Sequence, residues 1–105
     1  MARDAIKILE ELVGPPTVGM LFSAHRTGWD MTQRDLAKKL GVTVGFISNI
    51  ETGKKRISLE KLLEYCRRLN ESETFWMIIY FKEEARRAGK EISSIVFEEK
   101  KKKRA

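Results

Sequence analysis

The chain has 105 residues, 42% of them apolar and 34% charged, with a net charge of +6 and a pI near 9.6. That length suits one compact domain with short extensions, and the basic excess points to a polyanionic partner, either nucleic acid or an acidic membrane surface. The longest apolar run, Phe75 to Phe81, is seven residues, far short of the ~20 of a membrane span; charges break up the first residues, so they are not expected to act as a secretory leader; and a lone cysteine, Cys66, excludes an internal disulfide. A soluble cytoplasmic protein without membrane contact is expected.

The elements follow in chain order. Residues 4–13 place Ile6, Leu9 and Val13 at helical spacing, with Ile8 and Leu12 beside them, and Gly14 and Pro15-Pro16 close that segment. Thr17 can cap a helix over 18–28 that buries some of Val18, Leu21, Phe22 and Ala24, with Gly28 as its stop and Trp29 and Met31 as core residues of the next turn. Thr32 caps a helix over 33–40 with Leu36, Ala37 and Leu40 on one face. Gly41 then makes a tight turn. Thr43 caps a helix over 44–52 with Ile47 and Ile50 inward and Gly53 behind it. Ser58 caps a helix over 59–69 whose apolar face is Leu59, Leu62, Leu63, Cys66 and Leu69, ended by Asn70. Ser72 caps a long helix over 73–88, closed by Gly89. Residues 92–97 fit either a short strand or a helical turn, and the basic run 100–104 reads as a disordered tail. The prediction is an all-α bundle: an N-terminal amphipathic helix and proline linker over 1–16, a central domain over 17–70, a C-terminal helix over 71–90 and a basic tail over 91–105.

Charge concentrates in the middle. Residues 17–70 carry ten Lys/Arg against five Asp/Glu, whereas residues 1–16 carry two against three. The same region holds the stretch QRDLAKKLGVTVGFISNIET, Gln33 to Thr52. It has what two short, closely crossing helices need: a small residue at the crossing (Ala37), a residue tolerant of positive φ in the turn (Gly41), and apolar side chains at fixed offsets (Leu36, Leu40, Val42, Ile47, Ile50).

From Thr32 to Lys54 the pattern TQxxLAxxLGVTxxxISxIExGK resembles the lambda-repressor-like family of helix-turn-helix regulators, which includes the phage repressor and Cro proteins and the XRE-type regulators. The likeness extends from Thr17 to about Leu69. It implies that the helix starting at Val44 enters the DNA major groove, with Thr43, Val44, Gly45, Ser48 and Asn49 facing the bases. It implies phosphate contacts from Gln33 and from the loop residues Lys54, Lys55 and Arg56. Phe46 fits either a place near the DNA backbone or an inward packing. Arg26 and Glu51 correspond to a partly buried structural salt bridge. On the helix starting at Val44, Asn49 alone can make a bidentate contact to adenine, Val44 can touch a thymine methyl, and Gly45 brings no side chain.

The run Phe75 to Phe81 is apolar all round a helix, which marks an interface; members of the resembled family commonly dimerise through the last helix, so Phe75, Trp76, Ile79 and Tyr80 are assigned to a homodimer contact. His25 and Cys66 are the usual nucleophile or metal candidates, but no CxxC or HxxH spacing supports a zinc site, and Cys66 lies on an apolar helix face. No cofactor, metal or catalytic activity is expected. The functional expectation is a dimeric, sequence-specific repressor on double-stranded DNA; the alternative is an antitoxin that binds a toxin protein and autoregulates its operon.

Overall fold

The computed structural model describes residues 14–89; the segment 4–13, the segment 92–97 and the basic tail lie outside them. Within the described residues the chain forms five helices and no strand: α1 (Val18–Gly28), α2 (Gln33–Leu40), α3 (Val44–Glu51), α4 (Leu59–Leu69) and α5 (Glu73–Arg87). The expected all-α class is the one observed.

Each helix starts at a hydroxyl. Thr17, Thr32, Thr43, Ser58 and Ser72 hold extended backbone and accept the N–H of Met20, Asp35, Phe46, Lys61 and Phe75, respectively. Each thereby satisfies one of the amides that a helix start leaves without a partner. The stops are local too: Gly41 and Asn70 adopt left-handed conformations with φ of 71° and 56°, and their N–H groups return to carbonyls of the last turn.

Phe22 of α1 is the centre of the core. Its ring meets Tyr65 of α4 edge-on at 6.1 Å and Trp76 of α5 at 5.1 Å between centroids, the arrangement aromatic quadrupoles favour. Leu36, Ala37 and Leu40 from α2, Ile47 and Ile50 from α3, and Leu62, Cys66 and Leu69 from α4 close around it. α2 packs on α3, α4 on α5, and α1 touches both α3 and α5.

Several expectations are corrected by the packing. Trp29, read as core, is 71% exposed, whereas Met31, half-buried, packs against the core as expected. Trp29 follows the last turn of α1 as its C-terminal cap, so its direction is set by where the helix ends rather than by a helical stripe. Of the four α1 residues from which a buried set was expected, Val18 and Phe22 are buried, joined by Gly19 and His25, while Leu21 is half-buried and Ala24 exposed. Trp76 is 3% exposed and Ile79 0%. Both fill the core of their own chain, because that face of α5 lies against α1 and α4, and neither is available to a second molecule. Phe75 and Tyr80 are half-buried, and the outward apolar residues of α5 are Ile78 and Phe81.

Candidate nucleic-acid interface

The α2–turn–α3 unit is held in one geometry by bonds at its turn. Gly41 lets the chain reverse, and Val42 N–H donates to the Ala37 carbonyl at 2.9 Å. Arg68 of α4 donates to the Leu40 carbonyl at 2.9 Å, so a guanidinium satisfies the exposed end of α2 and suits the negative end of its dipole. At the start of α2, Thr32 and Asp35 form a reciprocal capping box: Asp35 N–H donates to the Thr32 hydroxyl at 3.0 Å and Thr32 N–H to the Asp35 carboxylate at 2.9 Å. The Thr32 backbone N–H and, after it, the Thr32 hydroxyl hydrogen-bond the charged Asp35 carboxylate and hold it below its ordinary pKa.

α3 is fixed from behind. Ile47 and Ile50 are buried in the core. With that stripe anchored, the 3.6-residue period turns the opposite stripe to solvent: Thr43, Val44, Gly45 and Asn49 are exposed and Ser48 is half-buried. Phe46 lies between these faces. Its ring meets the edge of Tyr65 at 6.4 Å, and the Lys55 ammonium stands 5.1 Å from its centroid. One aromatic thus joins the core and positions a cation at the margin of the exposed stripe. Lys55 is tied there by its backbone as well, N–H to the Asn49 carbonyl at 3.0 Å. Lys54 is exposed beside it.

The other end of α3 is locked to α1. Arg26 donates from Nε and Nη2 to the two oxygens of Glu51 at 2.9 and 3.0 Å, and from Nη1 to the Met31 carbonyl at 3.2 Å. Gln33 donates from its side-chain amide to the same carboxylate at 3.2 Å. The Glu51 bonds raise the Arg26 guanidinium above its ordinary pKa. Glu51 therefore ties the first turn of α2 and the last turn of α3 to α1, which fixes how α3 is presented.

Four contributions were not read from the sequence. Gly19 lies where α1 crosses the end of α3, and a Cβ there would fall 2.4 Å from the Ile50 carbonyl oxygen; its only sequence signal is a glycine inside a helix. Tyr65 is a core residue of α4. Arg68 closes α2 from a distance in sequence that no local pattern reveals. Glu84 of α5 forms an ion pair with Arg56, so Arg56 is turned toward α5, whereas the exposed lysines flank α3. Cys66 is buried, and burial pushes its thiol up to about 11, the state of an inert core thiol rather than a nucleophile. His25 is buried with Nδ1 2.6 Å from Glu71.

Two short helices joined by a glycine turn, the second presenting a polar stripe flanked by lysines, define a helix-turn-helix DNA-binding domain. The family model described as Helix-turn-helix matches residues 30–76, and over these residues the chain carries a helix-turn-helix of the lambda-repressor-like type, the DNA-binding domain of transcriptional regulators. No curated protein and no solved structure matches the chain. No helix of the described residues is long and apolar enough to cross a membrane.

Proposed function

We propose that the protein is a sequence-specific repressor that lays α3 in the major groove of duplex DNA. The observation that carries this reading is the outward stripe of exposed Thr43, Val44, Gly45 and Asn49 with half-buried Ser48, backed by buried Ile47 and Ile50 and flanked by Lys54 and Lys55. Asn49 reads adenine through its amide, Val44 packs on a thymine methyl, and Gly45 lets the backbone approach the base edges. Gln33 at the start of α2 and the loop lysines hold phosphates. Repression follows from occupying the operator.

The operator is two-fold symmetric in this account, because two copies of the chain bind it together. Ile78 and the 49% exposed Phe81 form the outward apolar stripe of α5 that suits a second copy, in place of Trp76 and Ile79. Selection of bound duplexes from a random pool tests the function. A palindrome with half-sites about one helical turn apart is the expected product. A pool that stays random, or an asymmetric site bound by one chain, overturns the respective part of the proposal.

A further inference from the structure

Three cations follow one another in the loop between α3 and α4, and the fold treats them differently. Lys54 and Lys55 are exposed beside the outward stripe of α3, and among the described residues no carboxylate pairs with either. Arg56, the next residue, pairs with Glu84 of α5. The two side chains are 53% and 32% exposed, so water reaches both and the pair adds little to stability. Its consequence lies in the charge that the loop presents.

The place of Arg56 is fixed from both flanks. On one side Lys55 N–H donates to the Asn49 carbonyl at 3.0 Å, which ties the loop to the last turn of α3. On the other side Ile57 packs against the core. Between these holds, Arg56 and Ile57 line one wall of a crevice whose opposite wall is Tyr80, Glu83 and Glu84 of α5. Glu83 is occupied there, because it accepts the Val18 N–H at 2.9 Å and the Arg87 guanidinium at 2.9 Å. Glu84 is the carboxylate of this wall that meets the loop.

Consecutive Cα atoms are about 3.8 Å apart, so Arg56 stands beside any phosphate that Lys55 approaches. A bare guanidinium at that place would neutralise a phosphate and release its counterion. A guanidinium already paired with a carboxylate releases none, and the carboxylate repels the strand.

We propose that Glu84 is a positioning residue of DNA binding. It holds Arg56 against α5 and withdraws it from the cations that meet phosphate, so that Lys54 and Lys55 act alone from this loop. The inference rests on the reading that α3 and its flanking lysines bind duplex DNA. It makes the protein's hold on DNA weaker than its net charge implies, and weaker for every sequence alike, because phosphate contacts carry no sequence information.

The salt dependence of affinity for one random duplex, measured with the full-length chain, tests this. Each phosphate contact adds about 0.9 to the slope of log affinity against log salt. Lys55→Ala should flatten the wild-type slope by about that amount, and Arg56→Ala should leave it unchanged. Glu84→Gln should steepen it by about 0.9, which makes binding about eightfold tighter at about 0.1 M salt. Adding Arg56→Ala to Glu84→Gln should return the slope to the wild-type value, which separates release of Arg56 from the general effect of removing a negative charge. A Glu84→Gln slope equal to wild type overturns the proposal. So does a gain that survives the loss of Arg56, or an Arg56→Ala that flattens the wild-type slope as Lys55→Ala does. If Lys55→Ala also leaves the slope unmoved, DNA binding by this face is overturned, and the proposal with it.

Discussion

Arg26 holds Glu51 through two parallel hydrogen bonds, Nε to Oε2 at 2.9 Å and Nη2 to Oε1 at 3.0 Å, in a site where the carboxylate side chain is 8% exposed and the guanidinium 20%. This bidentate geometry is the strong form of an ion pair, and it joins α1 to the end of α3. Breaking it leaves a guanidinium and the Gln33 amide without their acceptor in a largely dry place. Glu51→Ala should cost about 3 kcal/mol of unfolding free energy, the low end for a buried pair because water reaches the arginine. Glu51→Gln, which keeps one acceptor, should cost less. Urea titrations of the two variants check this, and equal stabilities for Glu51→Ala and wild type would remove the pair from the account.

Two glycine-to-alanine substitutions should move stability in opposite directions. An alanine normally favours a helix over glycine by about 1 kcal/mol. At Gly19 the added Cβ would meet the Ile50 and Glu51 carbonyl oxygens at 2.4 and 2.7 Å. Backbone cannot yield as a flexible side chain does, so Gly19→Ala should destabilise by about 1–3 kcal/mol. At Gly45 nothing lies within 4 Å, so Gly45→Ala should stabilise α3 by up to about 1 kcal/mol. Thermal melts of both proteins give the comparison, and a shift of the same sign in each would contradict it.

The capping box at the start of α2 sets a pH dependence. The Asp35 carboxyl titrates below its ordinary value because Thr32 hydrogen-bonds its charged form. A group with a lowered folded-state pKa contributes stability that is fully present above its unfolded pKa, about 3.9, and is lost as the pH falls through the lower folded value. The stability difference between wild type and Asp35→Asn should therefore be constant at neutral pH and shrink in acid below about pH 4. Urea midpoints collected from neutral to acid pH measure it; a difference that grows in acid would have the wrong sign.

These residues also show how far the sequence carries the fold and the site. The caps Thr17, Thr32, Thr43, Ser58 and Ser72 were legible because capping acts over three residues, and the left-handed stops at Gly41 and Asn70 for the same reason. Ile47 and Ile50 were legible from period and spacing, and with them the outward stripe of α3. Trp76 and Ile79 were misassigned because a helix that is apolar all round does not state which face its own core takes. Trp29 was misread because an apolar residue in a turn has no periodic context. The Arg56–Glu84 pair spans 28 residues, and the role of Gly19 depends on a crossing helix, so no local pattern announces either.

The central claim is that the exposed stripe of α3 reads DNA, and Asn49 is its most informative member. The direct measurement is the affinity of wild type and Asn49→Ala for two duplexes, the one recovered by selection and one of random sequence, at the same salt concentration. The account predicts that Asn49→Ala loses about 1–3 kcal/mol at the selected duplex and keeps its affinity for the random one, where the phosphate contacts of Lys54 and Lys55 remain. Equal affinity of the two proteins for the selected duplex would contradict base reading by this helix.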